Sequence, residues 1–227
     1  MSQSLSRLFE RVRRERIVVR LFNLFAGLIL FGVSIALMLS AELGVDPWDV
    51  LHQGIAIQTG ISFGTVVILA SLIVLVLWIP LRQRPGFGTV ANAVVVGLAA
   101  EATLAVLPDL NTFAPRVGFL AGGVLLNALA TGLYIGARLG PGPRDGLMTG
   151  LAARGLPIGP ARTAIEVGVL AIGWGLGGQV GIGTLVYAAS IGPLVQFFIA
   201  AFTVAERGAY PRVRVRPQPA QHAGACS

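Results

Sequence analysis

The chain has 227 residues, of which 55% are hydrophobic and only 12% charged, with a mean hydropathy of +0.78. A soluble domain carries about twice that charged share. Apolar runs of ~18 residues or more recur here, each long enough to cross a ~30 Å hydrocarbon core as a helix, which excludes a soluble all-α core. The formal charge is +7 and every basic residue is arginine, with clusters at both ends of the chain but neither aromatic interleaving nor a nucleic-acid motif. Nucleic acid is therefore not an expected partner, whereas the lipid bilayer is: arginines beside spans hold those ends on the cytoplasmic side.

Residues 1–16 read as a basic cytoplasmic arm, with Leu5, Leu8, Phe9 and Val12 set among arginines as in a short interfacial amphipathic segment. The first membrane repeat is expected over residues 17–107. It comprises an uncleaved first span (Ile17–Ala41), a short segment at 47–59, a second span at 62–81 and a third at 88–107. A polar connector at 108–115 separates it from a second repeat at 116–206. There the spans are 116–137, 159–177 and 183–205, and the short segment is 143–154. Residues 207–227, rich in Arg, Pro and Gln, read as a disordered basic cytoplasmic tail. Cys226 is the one cysteine, so neither an intrachain disulfide nor a cysteine metal site is expected. Pro80 and Pro193 are expected to cap or kink spans, and Gly173, Gly175, Gly177 and Gly178 to allow close helix packing.

The short segments decide the topology. At 1.5 Å per residue, 13 residues of helix reach only about 20 Å, too little to cross. If they dip in and return, Arg82, Arg84, Arg138, Arg144, Arg154 and Arg162 all face the cytoplasm and Arg116 alone faces outside. The arginine bias favours that arrangement: six transmembrane helices, two re-entrant helices and both termini cytoplasmic.

One segment occurs twice. Leu43, Gly44, Pro47 and Asp49 return as Leu139, Gly140, Pro143 and Asp145, 96 residues later. Gly86, Gly88 and Thr89 return as Gly181, Gly183 and Thr184, 95 residues later. With three spans per half, the second half must enter the membrane upside down, giving an inverted-topology internal repeat around a shared centre. The fold class is then all-α, a polytopic membrane helix bundle.

Within each short segment Pro suits the first helical position, because its missing N–H would be an orphan there. Asp two residues later meets the free N–H groups and the positive dipole end. Asp49 and Asp145 therefore start helices, and as ionisable groups at membrane depth they are also candidates to bind a cation, proton or amine. Glu101 lies 13 residues after Gly88, and its repeat partner is Gln196. The two are expected at equivalent depths, converging with Asp49 and Asp145 on one central region. Burial disfavours a charged carboxylate, which makes Glu101 a candidate for proton coupling, set against a purely structural hydrogen bond. His52 follows Asp49 by one helical turn and is a satisfied polar residue or a relay. Arg162 and Glu166, four apart, form either a structural ion pair or a gating pair. Asn92, Asn127 and Tyr187 are expected to hydrogen-bond between helices.

The runs Gly44-Val-Asp-Pro-Trp-Asp-Val-Leu-His-Gln-Gly and Gly132-Leu-Tyr-Ile-Gly-Ala-Arg-Leu-Gly-Pro-Gly-Pro-Arg-Asp-Gly-Leu-Met resemble the YczE/YitT-type bacterial integral membrane proteins. The resemblance covers roughly residues 20–203. It implies a multi-pass protein of the bacterial cytoplasmic (inner) membrane and carries over no activity and no catalytic residue.

No nucleophile elbow, phosphate loop, metal-ligand cluster or paired-carboxylate site is legible, so no enzyme, cofactor or metal is expected. The leading expectation is a small secondary transporter or exporter of a small molecule or cation. The alternatives are a non-transporting protein that binds or regulates a partner complex, or a membrane substrate-capture subunit. A homo-oligomer is compatible with each. A polar central cavity would favour transport or capture, and a dry packed centre would favour regulation.

Overall fold

A computed structural model describes residues 2–155 and 157–202. These residues form eight helices: α1 (Ser2–Ala41), α2 (Pro47–Thr59), α3 (Phe63–Leu81), α4 (Phe87–Leu104), α5 (Phe113–Gly136), α6 (Pro143–Ala152), α7 (Ile158–Gly175) and α8 (Ile182–Phe202). The expected arm is continuous with the first span as one helix. The expected tail at 207–227 lies outside the described residues.

Among the described residues, five helical stretches are long and apolar enough to cross a membrane: Ile17–Ala41 within α1, then α3, α4, α5 and α8. Their outward faces carry large apolar side chains such as Phe22, Ile79, Leu98 and Phe197, as hydrocarbon contact requires. Of the six expected spans, the fifth corresponds to α7, where Arg162 and Glu166 lower the apolarity of an 18-residue helix.

Helix limits follow local chemistry. α2 and α6 start on Pro47 and Pro143. α5 begins three residues before the expected start because Pro115 sits in its first turn, where proline costs no intrahelical bond. A left-handed residue with φ of 53° follows each of α1 and α5, Glu42 directly after the first and Arg138 one residue beyond the Ala137 cap of the second.

The core lies where α1 packs on α5 and α4, centred on Leu24, Leu28, Ile35, Met38 and Val124. α1 and α5 run antiparallel, and glycine sets the approach. A Cβ on Gly27 would lie 2.9 Å from the Ala130 carbonyl and 2.8 Å from the Tyr134 nitrogen. Ninety-six residues on, a Cβ on Gly123 would lie 3.1 Å from the Ser34 carbonyl and 2.6 Å from Met38 Cγ. Ser34 and Met38 are the repeat partners of Ala130 and Tyr134. The connectors repeat the exchange: the Gly183 N–H donates to Leu43 O at 2.7 Å, and the Gly88 N–H donates to Leu139 O at 2.8 Å. Gly44 (φ 104°) and Gly140 (φ 134°) take positive φ against these backbones, where a Cβ would fit neither the conformation nor the space.

The short helices are seated crosswise, α2 on α7 and α6 on α3. Trp78 of α3 fills the space left by Gly146 of α6 and donates its indole N–H to Pro143 O at 3.0 Å. At the repeat positions the sizes are reversed: Gly173 of α7 faces Val50 and Leu51 of α2.

Candidate functional site

The first turns of α2 and α6 face one another across a cavity of about 390 Å³. Repeat partners line it together: Pro47 with Pro143, Trp48 with Arg144, Ser71 with Glu166, and Asn92 with Tyr187. The space therefore lies between the halves and belongs to both.

Its polar chemistry begins at the α2 N-terminus. Asp46 is the N-cap, and its Oδ1 accepts the Asp49 N–H at 2.8 Å. The α6 N-cap is Gly142, with no side chain to cap it, so the two helix starts differ. Arg144 fills the gap from the α6 side. It reaches Asp46 Oδ2 at 3.4 Å and Asp49 Oδ1 at 3.2 Å, with its guanidinium carbon 5.3 Å from the centre of the Trp48 ring. Asp49 is wholly buried, and its Oδ2 finds no partner among the described residues. Two carboxylates share one guanidinium here.

Asp145, the repeat partner of Asp49, has a different environment. Its side chain is open to the cavity, and Oδ2 accepts the Tyr134 hydroxyl at 2.9 Å. No described cation pairs with it. Arg162 donates to Glu166 at 2.7 Å, and this pair, more than half exposed on the arginine side, flanks the cavity. Tyr187 donates to Asn127 Oδ1 at 3.2 Å, and Asn127 donates to Ser34 at 2.9 Å, tying α8, α5 and α1 together as expected.

The structure thus brings Asp145, Gln196, Arg162 and Glu166 to one cavity wall. Asp49 stands directly behind it on Arg144. His52 is buried beside Asp49, with Nδ1 3.2 Å from Oδ1 and its ring packed near Trp48 and Phe63, away from the cavity lining.

Glu101 departs from the expected convergence. α4 ends at Leu104, so a residue about 20 Å along it lies near the far end of the helix, not at mid-depth. Its Oε2 accepts the Gly64 N–H at 2.8 Å, satisfying a free donor in the first turn of α3, and it is absent from the cavity lining. Gln196 sits within α8, well before its end, and does line the cavity. Arg144 also departs from expectation. It belongs to the site and not to a cytoplasmic loop edge, so it does not bear on topology.

Asp46, Trp48, Arg144 and Tyr134 were not singled out as site residues from the sequence. A signal was present: between the shared Leu-Gly, Pro and Asp positions the two copies of the motif differ at 46/142, Asp against Gly, and at 48/144, Trp against Arg.

Comparison with known proteins agrees with the resemblance seen in the motifs. Residues 18–200 match a family described as a family of unknown function, DUF6198. A Haemophilus influenzae protein described as an uncharacterized protein is 42% identical over 177 residues, covering 78% of this chain and 81% of its own length. The uncharacterized membrane protein YczE of Bacillus subtilis is 33% identical over 187 residues, covering 81% and 87%. The uncharacterized protein YyaS of the same organism is 26% identical over 180 residues, covering 76% and 89%. No solved structure matches the chain.

Proposed function

Since the chain belongs to the DUF6198 family of unknown function, chemistry must come from the site, and we propose that this membrane protein is a small secondary transporter or exporter of a small molecule. The observation that carries the reading is the cavity of about 390 Å³ between the starts of α2 and α6, lined by repeat partners from both halves. That volume suits a small organic solute. Discontinuous short helices meeting at the interface of two repeats are a recurring way to build a transport site.

In this reading α7 is the sixth span, and α2 and α6 are re-entrant helices. The halves are then an inverted-topology repeat in the inner membrane with both termini cytoplasmic. The antiparallel pairing of α1 with α5 and the reciprocal Leu43–Gly183 and Leu139–Gly88 bonds support it. Alternating access would rock one half against the other, with Arg144 releasing and regaining Asp46 and Asp49. Coupling to protons then falls to that acidic pair, while Glu101 caps α3. A cavity in place of a dry centre weighs against a purely regulatory role.

The test has two parts. Metabolites accumulated by cells with and without the protein are compared without a preset target, and the solute that differs is then followed into proteoliposomes holding the purified full chain. Protein-dependent flux is expected, and it should be lost in Arg144→Ala. An unchanged metabolite pool, or a solute that fails to cross in proteoliposomes, would overturn the transport reading.

A further inference from the structure

We propose that the cavity binds a small organic monocation, an ammonium with an apolar body, anchored on the Asp145 carboxylate. This names a substrate class and rests on the transport reading of the same cavity.

The charge balance comes first. In and directly behind the cavity wall stand four carboxylates, Asp46, Asp49, Asp145 and Glu166, against two guanidiniums, Arg144 and Arg162. Both guanidiniums are engaged, Arg144 by Asp46 and Asp49, Arg162 by Glu166. An incoming anion would have to break an existing pair and meet uncompensated carboxylates. An incoming cation finds one carboxylate, Asp145, that accepts the Tyr134 hydroxyl and makes no ion pair among the described residues, Arg162 acting on it only from beyond contact distance. A ligand ammonium there gains a direct, charge-assisted ion pair that Asp145 lacks among the described residues.

The shape and wall chemistry choose among cations. A space of about 390 Å³ is far larger than a bare metal ion needs, and no group of three metal-ligating side chains exists among the described residues. Aromatic rings line it: Phe31, Trp48, Tyr134 and Tyr187. Phe31 and Tyr134 meet edge to face at 6.0 Å. Ring faces attract organic cations and bury apolar bodies at once. Asn92 and Gln196 add neutral hydrogen-bonding groups on the same wall. Tyr134 uses its hydroxyl hydrogen on Oδ2 of Asp145, which holds that carboxylate in place and leaves Oδ1 as the acceptor for an ammonium N–H.

The probes are phenethylammonium, 2-phenylethanol and phenylacetate, similar bodies carrying +1, 0 and −1 charge. Each is titrated calorimetrically at millimolar concentration into the full chain in a nonionic detergent. Phenethylammonium is expected to bind at least about tenfold more tightly than either isostere, about 1.4 kcal/mol. Asp145→Asn should erase that preference while leaving 2-phenylethanol unchanged, and Asp145→Glu should restore part of it. Glu101→Gln, remote from the cavity, should bind like the wild type. Equal or weaker binding of the ammonium, no binding of any probe, or an unchanged preference in Asp145→Asn overturns the proposal. The two readings fail separately. Ammonium binding without flux in proteoliposomes removes transport and keeps the cation site. Flux of phenylacetate or 2-phenylethanol without ammonium binding keeps transport and removes the cation site.

Discussion

Arg144 is the residue on which most of the site depends. It exposes about a quarter of its side chain, 24%, and spans two carboxylates of the other half. Removing it leaves Asp46 and Asp49 buried without a counter-charge, which costs on the order of 3–5 kcal/mol. Arg144→Ala should therefore lower the melting temperature in detergent sharply, and adding Asp49→Asn to it should recover part of the loss. Equal melting of wild type and Arg144→Ala would show that the pairs contribute nothing. Among the residues legible beforehand, Asp145, Gln196, Arg162 and Glu166 reached the cavity because polar groups on apolar helices have few other places to go. Glu101 did not, because its depth depends on where α4 stops, and Pro108 together with the turn after Leu104 ends that helix early.

At the scale of the elements, packing is set by where glycine stands opposite bulk. A Cβ on Gly146 would sit 1.8 Å from the rigid Trp78 ring, so Gly146→Ala must shift α6 or the indole that anchors Pro143. Overpacking of this kind costs about 1–3 kcal/mol. Gly118 of α5 has open space around its Cβ position, and Gly118→Ala should instead gain up to about 1 kcal/mol from helix propensity. Thermal melts of the two variants in one detergent check both signs. Helix identity and approximate limits were legible throughout, since spans are long apolar runs and the short helices announce themselves by Pro47 and Pro143. The crosswise seating of α2 on α7 and α6 on α3 was not legible. It depends on reversed sizes at matched positions, Trp78 against Gly146 and Gly173 against Val50, which no periodicity reports.

For the whole molecule, the repeat in the sequence is the feature that reached furthest. The positions it matched, Gly44 with Gly140 and Gly88 with Gly183, lie at the connectors where Gly183 and Gly88 donate to Leu43 and Leu139, exchanges that the sequence alone did not foretell. It could not say that a cavity would remain between the halves, because that depends on side-chain volumes at positions where the two copies differ. On the transport reading, this cavity opens in turn to the two sides of the membrane. Labelling single cysteines in a Cys226→Ser background with a membrane-impermeant maleimide tests it most directly, on right-side-out and inside-out vesicles. Gln83→Cys should label only from the cytoplasmic side and Asn111→Cys only from outside. Ser71→Cys, on the cavity wall, should label from both sides, and phenethylammonium should protect it. A Ser71→Cys protein that labels from neither side, or from one side alone under every condition, contradicts the claim.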